Sequence, residues 1–494
     1  MSMNQLKNLI HKQMLNFRNL ICFVSMTLVL LACGKSSTKE AVNEETKKPN
    51  VLIILTDQWR AQSIGYAGDT QVKTPNIDRL ASSSINFKNA VSGMPVCGPF
   101  RASLFTGQRP LTHGVFMNDV QLDTTAVSMG KIYAKAGYET GYIGKWHLDG
   151  QGRSNFIPPG NRRQGFEFWM ANECSHNYNE SLYYDNEDTT KRYWEGYDAF
   201  PQTDAALKFM TEKNEANDPF LMVLAWGTPH APYHTAPENY KAMYKPEDMV
   251  VRANVPEHRR VQVQKDMAGY YAHMTALDDK VGDIMDTLKT QGMLDNTIVL
   301  FTSDHGDLLG SHDAYKKQQP YEESLRIPFL VYLPESLNIS KGEREAMINS
   351  EDILPTLLSL CDIKIPNTIE GIDYRPYLEG KEQQGEVALI TCVQPFGQWN
   401  RVQHNGREYR AVRTHQYTYA RDLNGPWLLF DNQNDPLQMN NLVDDPAYSN
   451  KKEELEQLLS ERLKATDDEF LHGLEYIKKW KYPLDKTETV PYSL

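Results

Sequence analysis

Cysteine is scarce, six in 494 residues. Cys22 and Cys33 lie near the start, and Cys97, Cys174, Cys361 and Cys392 are scattered over the rest, so no disulfide framework holds this chain together. Basic charge is in deficit too, Lys+Arg 52 against Asp+Glu 64 for a net −12. That excludes a whole-molecule field for nucleic acid; an anionic ligand must be drawn by a local pocket. No nucleic-acid motif and no internal repeat is present. The apolar run Leu20 to Leu31 is too short to span a bilayer comfortably. What is there, 40% hydrophobic, 10% aromatic and 23% charged residues, is the composition of a folded chain with a sizeable core, not of a disordered, collagenous or multi-span one.

Lys7, Lys12 and Arg18 precede that apolar run, which ends Leu30-Leu31-Ala32-Cys33. Charged, apolar and small-residue regions in this order make a secretory signal, and the ending resembles the lipobox of bacterial lipoproteins. Residues 1–32 are therefore expected to be a signal peptide cleaved before Cys33. Lipid on the Cys33 sulfur would then tie an exported chain to a bacterial cell membrane, the lipid being its one membrane contact. Residues 33–49, mostly Lys, Glu, Ser, Thr and Asn, read as a solvated tether.

Val51-Leu52-Ile53-Ile54-Leu55 is a continuous apolar run suited to a strand buried on both faces. Similar strands are expected over Tyr138 to Trp146, Phe220 to Trp226 and Thr297 to Phe301. Helical stretches separate them, at Ser128 to Ala136, Thr203 to Lys213 and Met267 to Gln291. The alternation predicts an α/β fold with a large, mainly parallel central sheet flanked by helices, over residues 50–380. From 381 to 494 the runs shorten and alternate, as at Tyr409 to Arg413, Tyr417 to Ala420 and Trp427 to Phe430. A helix from Lys451 to about Ala465 follows, with Leu455, Leu458, Leu459 and Leu463 in a stripe. That reads as a smaller C-terminal subdomain of antiparallel sheet plus helix.

Ligands of parallel sheets gather beyond the carboxyl ends of the strands. Four strands here end in titratable groups: Asp57-Gln58, Lys145 and His147, His230, and Asp304-His305. One such residue is usually a turn or a cap; four converging sets suggest a site. Asp57, Gln58, Asp304 and His305 offer mainly oxygen donors, which suit calcium, or magnesium as second choice, better than zinc. In Cys97-Gly98-Pro99-Phe100-Arg101-Ala102-Ser103-Leu104-Phe105-Thr106-Gly107, Pro99 suits a first helical turn and Gly107 a stop. Cys97 then heads a helix, where free N–H groups and the dipole favour negative charge. Arg101, one turn on, can offer its planar fork to an oxyanion.

These residues closely resemble the type I, formylglycine-dependent sulfatases, a branch of the alkaline-phosphatase superfamily whose signature is C-x-P-x-R followed by T-G. The likeness also takes in Asp57-Gln58, Thr74 to Leu80, Gly144-Lys145-Trp146-His147, Thr228-Pro229-His230, Ser303 to Gly306, and Lys317 before Tyr321-Glu322. It implies that a formylglycine-generating maturation enzyme oxidises Cys97, and that residue 97 also touches the cation. By that resemblance a hydroxyl of the hydrated aldehyde attacks sulfur while the cation, Arg101, Lys145 and Lys317 hold the sulfate oxygens. His230, with Lys317, serves the departing alcohol, and His147 takes the proton from the second hydroxyl. Lys317 is chosen over its neighbour Lys316 by its spacing to Tyr321, leaving Lys316 to solvent. Gln58, His305 and Phe100 stand where many members have a carboxylate, Asn and Ser. The first two bear on cation affinity, the third on maturation.

Candidates for the substrate side are His113, Asn118 and Asp119, and the stretch Glu173 to Tyr184 with His176 and Asn177. Trp146 and Trp226 read as core. The expected activity is hydrolysis of sulfate esters on a sulfated glycan, such as algal galactan, ulvan, glycosaminoglycan or mucin. Two alternatives stay open: a phosphodiesterase or phosphonate monoester hydrolase on the same scaffold, and a catalytically silent glycan-binding lipoprotein.

Overall fold

Residues 51–55 are completely buried in the computed structural model, which describes Met3 and residues 47–382 and 385–492. Apart from Met3, the expected signal segment, together with Cys33 and nearly all of the tether, lies outside the described residues. Residues 51–55 belong to β1 (Asn50–Asp57), whose side chains alternate between two cores: Val51, Ile53 and Leu55 enter one, Leu52 and Ile54 the other. A strand covered on both faces requires such an unbroken apolar run.

Nine more strands complete this sheet: β2 (Ile85–Phe87), β3 (Glu139–Lys145), β4 (Phe168–Asn172), β5 (Leu182–Asp185), β6 (Arg192–Tyr193), β7 (Phe220–Pro229), β8 (Thr297–Ser303), β9 (Phe329–Tyr332) and β10 (Gly342–Arg344). Their order is β10-β2-β9-β8-β1-β7-β3-β4-β5-β6. The five central strands, β8, β1, β7, β3 and β4, are all parallel. Antiparallel pairs occur only outside them. Register levels the strand ends, with Thr56 opposite Ser303 and Gly144 opposite Ala225. Asp57, Lys145 and Asp304 therefore emerge side by side. The approach of β3 to β7 requires glycine at 144: φ is +101°, and a Cβ there would stand 2.1 Å from the Ala225 carbonyl oxygen.

Helices α1 (Cys97–Thr106), α2 (Met129–Lys135), α3 (Ala199–Ala216) and α4 (Arg260–Thr290) flank the sheet. α4 begins seven residues before the expected Met267. Val263 is the one buried residue of that added stretch, so its sequence carries little apolar periodicity.

A second sheet contains β11 (Val387–Cys392), β12 (Tyr409–Thr414), β13 (Tyr417–Asp422) and β14 (Gly425–Asp431), all antiparallel and in chain order. α5 (Ser449–Ala465) lays Leu455, Leu459 and Leu463 on Val412, Tyr419 and Leu429, while Leu458 is only partly buried. Fold class thus follows the sequence expectation: a mainly parallel central sheet with helices, then a smaller antiparallel sheet with a helix. Among the described residues no helix is long and apolar enough to cross a membrane.

Candidate active site

α1 is buried from end to end and stops at Gly107, whose φ of +63° caps the helix as expected. Its first residue, Cys97, meets the ends of the central strands. Cys97 Sγ lies 2.8 Å from Lys317 Nζ, 3.2 Å from His305 Nε2, 3.6 Å from Asp57 Oδ1 and 3.7 Å from Lys145 Nζ. Burial and Asp57 oppose a thiolate there, but Lys145, Lys317 and His305 outweigh them and hold the thiol well below its ordinary value. Asn118 Oδ1 accepts the Gly98 N–H at 3.0 Å, so one free donor of the helix end is already used.

Asp57, Cys97, Asp304 and His305 place one ligand atom each within 4.8 Å of one another, all buried. Burial and Asp57 push the Asp304 carboxyl up to about 6, outweighing His305 and Arg101, the response of two carboxylates crowded together in a buried site. His305 Nδ1 faces the Gly306 carbonyl at 2.8 Å and must donate to it, which turns the Nε2 lone pair toward the cluster. Gln58 fits the same donor set. Its Nε2 donates to Asp307 Oδ2 at 2.8 Å, which leaves Oε1 buried with no partner. An orphaned amide oxygen beside two carboxylates and an imidazole suits a hard cation.

Arg101 departs from its expected place. Fully buried, it gives Nε and Nη2 to Asp304 Oδ2 at 3.3 and 3.1 Å and Nη1 to the Lys145 carbonyl at 2.6 Å. Its fork is thus committed to positioning Asp304, and the cations nearest the thiol are Lys145 and Lys317. Lys145 Nζ also meets Asp57 Oδ2 at 2.5 Å.

Gln58 directly follows β1 and His147 stands two residues past the end of β3, with φ of +71° and +59°. Left-handed non-glycine residues are strained, and here they aim side chains into the site. His147 is buried and stands 3.7 Å from Asp119. Burial disfavours charge on it, but Cys174, Asp119 and Cys97 prevail and carry its pKa up to about 10. His230 goes the other way: burial, Lys317 and His176 depress it well below the usual value. Its Nδ1 donates to the Ala231 carbonyl at 2.7 Å, and His176 stacks on it at 4.6 Å.

The cleft above these groups has a volume of about 950 Å³. Asn118, Asp119 and His176 line it; His113 and Asn177 do not. His113 is instead a buried structural histidine, Nε2 to Ser103 Oγ at 3.0 Å and Nδ1 accepting the Val115 N–H at 3.1 Å. Asn177 is exposed and turns to Ser175 and Glu180. Lys316, expected in solvent, is half-buried along the cleft wall. Trp146 and Trp226 are core.

The family model for sulfatases matches residues 49–363, and that for the N-sulphoglucosamine sulphohydrolase C-terminal region matches 310–465. The chain belongs to the sulfatase family. An ulvan-active sulfatase of Formosa agariphila is 42% identical over 500 residues, 99% of this chain and 96% of that one. An endo-4-O-sulfatase of Bacteroides thetaiotaomicron is 29% identical over 501 residues, 89% of this chain and 97% of that one. The crystal structure of a sulfatase from Bacteroides fragilis shares the fold with a TM-score of 0.78 at 31% identity, covering 88% of this chain and 98% of that one.

Two buried carboxylates brace the sulfatase cleft in ways the sequence does not announce. Asp307 Oδ1 accepts the Leu309 and Lys316 N–H groups at 2.9 and 3.2 Å, while Oδ2 takes Gln58 and the Tyr233 hydroxyl. It pins the Lys317 loop and orients Gln58 together. The only clue is its position two residues past His305. Glu173, read as a substrate-side residue, is buried and accepts the Leu148, Asp149 and Gly150 N–H groups at 2.8 to 3.2 Å. It anchors the loop that carries His147.

Proposed function

We propose that this sulfatase is exported and hydrolyses sulfate esters of a sulfated polysaccharide or oligosaccharide through residue 97. One observation carries the reading: Cys97 Sγ heads a fully buried helix in a cleft of about 950 Å³, with Lys317, His305 and Asp57 within 3.6 Å. The ulvan-active and endo-4-O-sulfatase relatives support the substrate class, as does a cleft at the roomy end of small-ligand sites.

Asp57, Asp304, His305 and Gln58 Oε1 would hold a divalent cation, calcium before magnesium, because most of these donors are oxygen. Bound there, a cation would lower the pKa of a hydroxyl on residue 97 and polarise sulfate oxygens. Cys97 is the residue a maturation enzyme would convert to formylglycine, whose hydrate carries the two hydroxyls the reaction uses. Lys145 and Lys317 point their ammonium groups at the space before Sγ and hold the sulfate oxygens. His230, neutral and with Nδ1–H spent on Ala231, presents a lone pair at Nε2 and orients a substrate hydroxyl. The proton for the departing alcohol therefore comes from Lys317. Conversion of residue 97 removes the thiol that helps hold His147 protonated, and His147 then accepts the proton that residue 97 gives up when sulfate leaves, with Asp119 favouring the resulting imidazolium.

The test begins with protein made alongside a formylglycine-generating enzyme. The mass of the peptide containing residue 97 should show an aldehyde in place of the thiol, and sulfate should be released from ulvan-type or glycosaminoglycan oligosaccharides. Full desulfation by Cys97→Ala would overturn the reading. For the anchor, Cys33→Ala should move the chain out of the membrane fraction, and continued sedimentation with membranes would count against lipid at that sulfur.

A further inference from the structure

A second cavity, of about 580 Å³, lies between the segment after β1 and the four-stranded sheet, and it shares no lining residue with the catalytic cleft. Four guanidinium groups face it: Arg60, Arg252, Arg326 and Arg413. Arginine cannot shed its charge, so each of these groups needs a countercharge or acceptors. Arg413 has them, giving Nε and Nη2 to the buried Glu322 at 2.7 and 3.0 Å. Arg252 Nε meets Glu323 at 3.0 Å.

The other two are left short. Arg326 approaches Glu322 only to 3.7 Å, gives one terminal nitrogen to the Lys88 carbonyl at 2.5 Å, and keeps a buried Nε with no partner. Arg60 is 2% exposed. Its Nε donates to Ser63 Oγ at 2.7 Å, and among the described residues its two terminal nitrogens have no hydrogen-bond or ion-pair partner. The nearby acids spend their hydrogen bonds elsewhere: Glu322 on Arg413, Glu323 on Arg252 and Asn254, Asp307 on Gln58, Tyr233 and two N–H groups, and Asp69 on the Tyr271 hydroxyl and the Gln71 N–H. Lys88 brings a further charge but spends it outward on Glu343 and Glu345.

Glu323 and Asp307 offset the Arg60 charge from a distance, but guanidinium donors without acceptors at the edge of a roomy polar cavity are costly and are completed by an anion. Planar N–H pairs match the paired oxygens of a sulfate or carboxylate. We infer that this cavity is a second oxyanion site, set apart from the catalytic one, with Arg60 and Arg326 as its donors. The occupant is a sulfate or carboxylate group, whether as free inorganic sulfate or as a substituent of a polyanionic chain. The two sites are neighbours. A Cβ on Gly306, in the Asp304-His305 loop, would lie 3.1 Å from Arg60 Cβ, and Glu323 stands between Arg252 and His312 of the catalytic cleft, 3.9 Å from the latter.

Two variants leave the catalytic groups alone. Asn432→Asp is isosteric and puts a negative charge on the cavity wall, where Asn432 bonds Thr418, Gln438 and the Gln416 carbonyl. Arg326→Gln removes one donor group. Crystals of the full chain soaked in sodium selenate would locate an oxyanion by its anomalous signal. In parallel, calorimetry on the non-turning Cys97→Ala protein would follow sodium sulfate and, separately, a sulfated oligosaccharide. The expected result is selenium beside Arg60 and Arg326, with sulfate affinity at that site falling about tenfold or more in both variants. Selenium absent from the cavity, but oligosaccharide affinity falling about tenfold in the variants, would assign the site to a polyanionic chain. Selenium in the cavity with affinities unchanged would mean an adventitious ion only, and the inference fails. It fails equally if neither ligand responds to either variant.

Discussion

Lys317 is the cation closest to the sulfur of residue 97, at 2.8 Å, and it also stands 2.9 Å from His305 Nε2. If it gives the proton to the leaving oxygen, its value depends on how much that oxygen needs one. A sugar alkoxide is a poor leaving group and an acidic phenolate is not. Lys317→Ala should therefore lower kcat on a sugar sulfate by about 10²-fold or more, and on a nitrophenyl sulfate by less than about tenfold. Equal losses on both substrates would reduce Lys317 to a sulfate anchor. Asp307 invites a different experiment because it touches Gln58 and not the thiol. In Asp307→Asn the Gln58 amide loses its fixed orientation, and the calcium concentration for half-maximal activity should rise about 10- to 100-fold. An unshifted calcium curve would remove Gln58 from the cation's ligands. At this scale the sequence reveals residue types better than their commitments. It brought Asp57, Lys145, His147, His230 and Asp304 to one place because all stand at or just past the ends of parallel strands. It could not tell that Arg101 is occupied by Asp304 and Lys145, nor that His113 turns inward to Ser103, since both depend on which way a buried side chain faces.

α5 shows what periodicity decides and where it stops. Leu455, Leu459 and Leu463 repeat every four residues and are the buried face, whereas Leu458, one position off that line, is only partly covered. Leu459→Ala should cost about 2–5 kcal/mol, as large-to-small changes in a packed core do, and Leu458→Ala about 1 kcal/mol or less. Urea unfolding of the two variants checks this; equal costs would mean that the stripe, not its burial, carries the stability. The same reasoning explains which elements were readable. β1, β7 and β8 carry long apolar runs because both faces are covered, and they announce themselves. β2, β6 and β10 span only two or three residues, too few for any period to register, and they gain their place from neighbours distant in sequence. The helical stripe of α4 could be read only from Met267 because the preceding turns bury little besides Val263.

Across the whole molecule, buried titratable groups pull the pH dependence of stability in opposite directions. Burial pushes Asp198, Asp352 and Glu173 up to about 7. Such carboxyls bind protons more tightly folded than unfolded, so their contribution weakens as pH rises from about 4 toward 7. His113 acts in reverse. Its Nδ1 accepts the Val115 N–H, leaving no room for a second proton, and burial holds its pKa down to about 3 from an ordinary 6.5. Its contribution is fully present above pH 6.5 and declines as pH falls toward 3, because the unfolded chain takes up the proton first. Over the two pH units from 6.5 to 4.5 that amounts to roughly 2–3 kcal/mol. Since the carboxyls change sign against it, the net curve of the wild-type protein does not isolate the effect; the difference from a variant does. His113→Gln keeps a polar group beside Ser103 but cannot titrate. It should be less stable than wild type at pH 7, with a deficit that shrinks by roughly that amount on acidification to pH 4.5, as read from urea midpoints at the two pH values. A deficit constant with pH would mean that His113 is already protonated in the fold, and that the Ser103 contact holding α1, and with it residue 97, is built differently from the arrangement described.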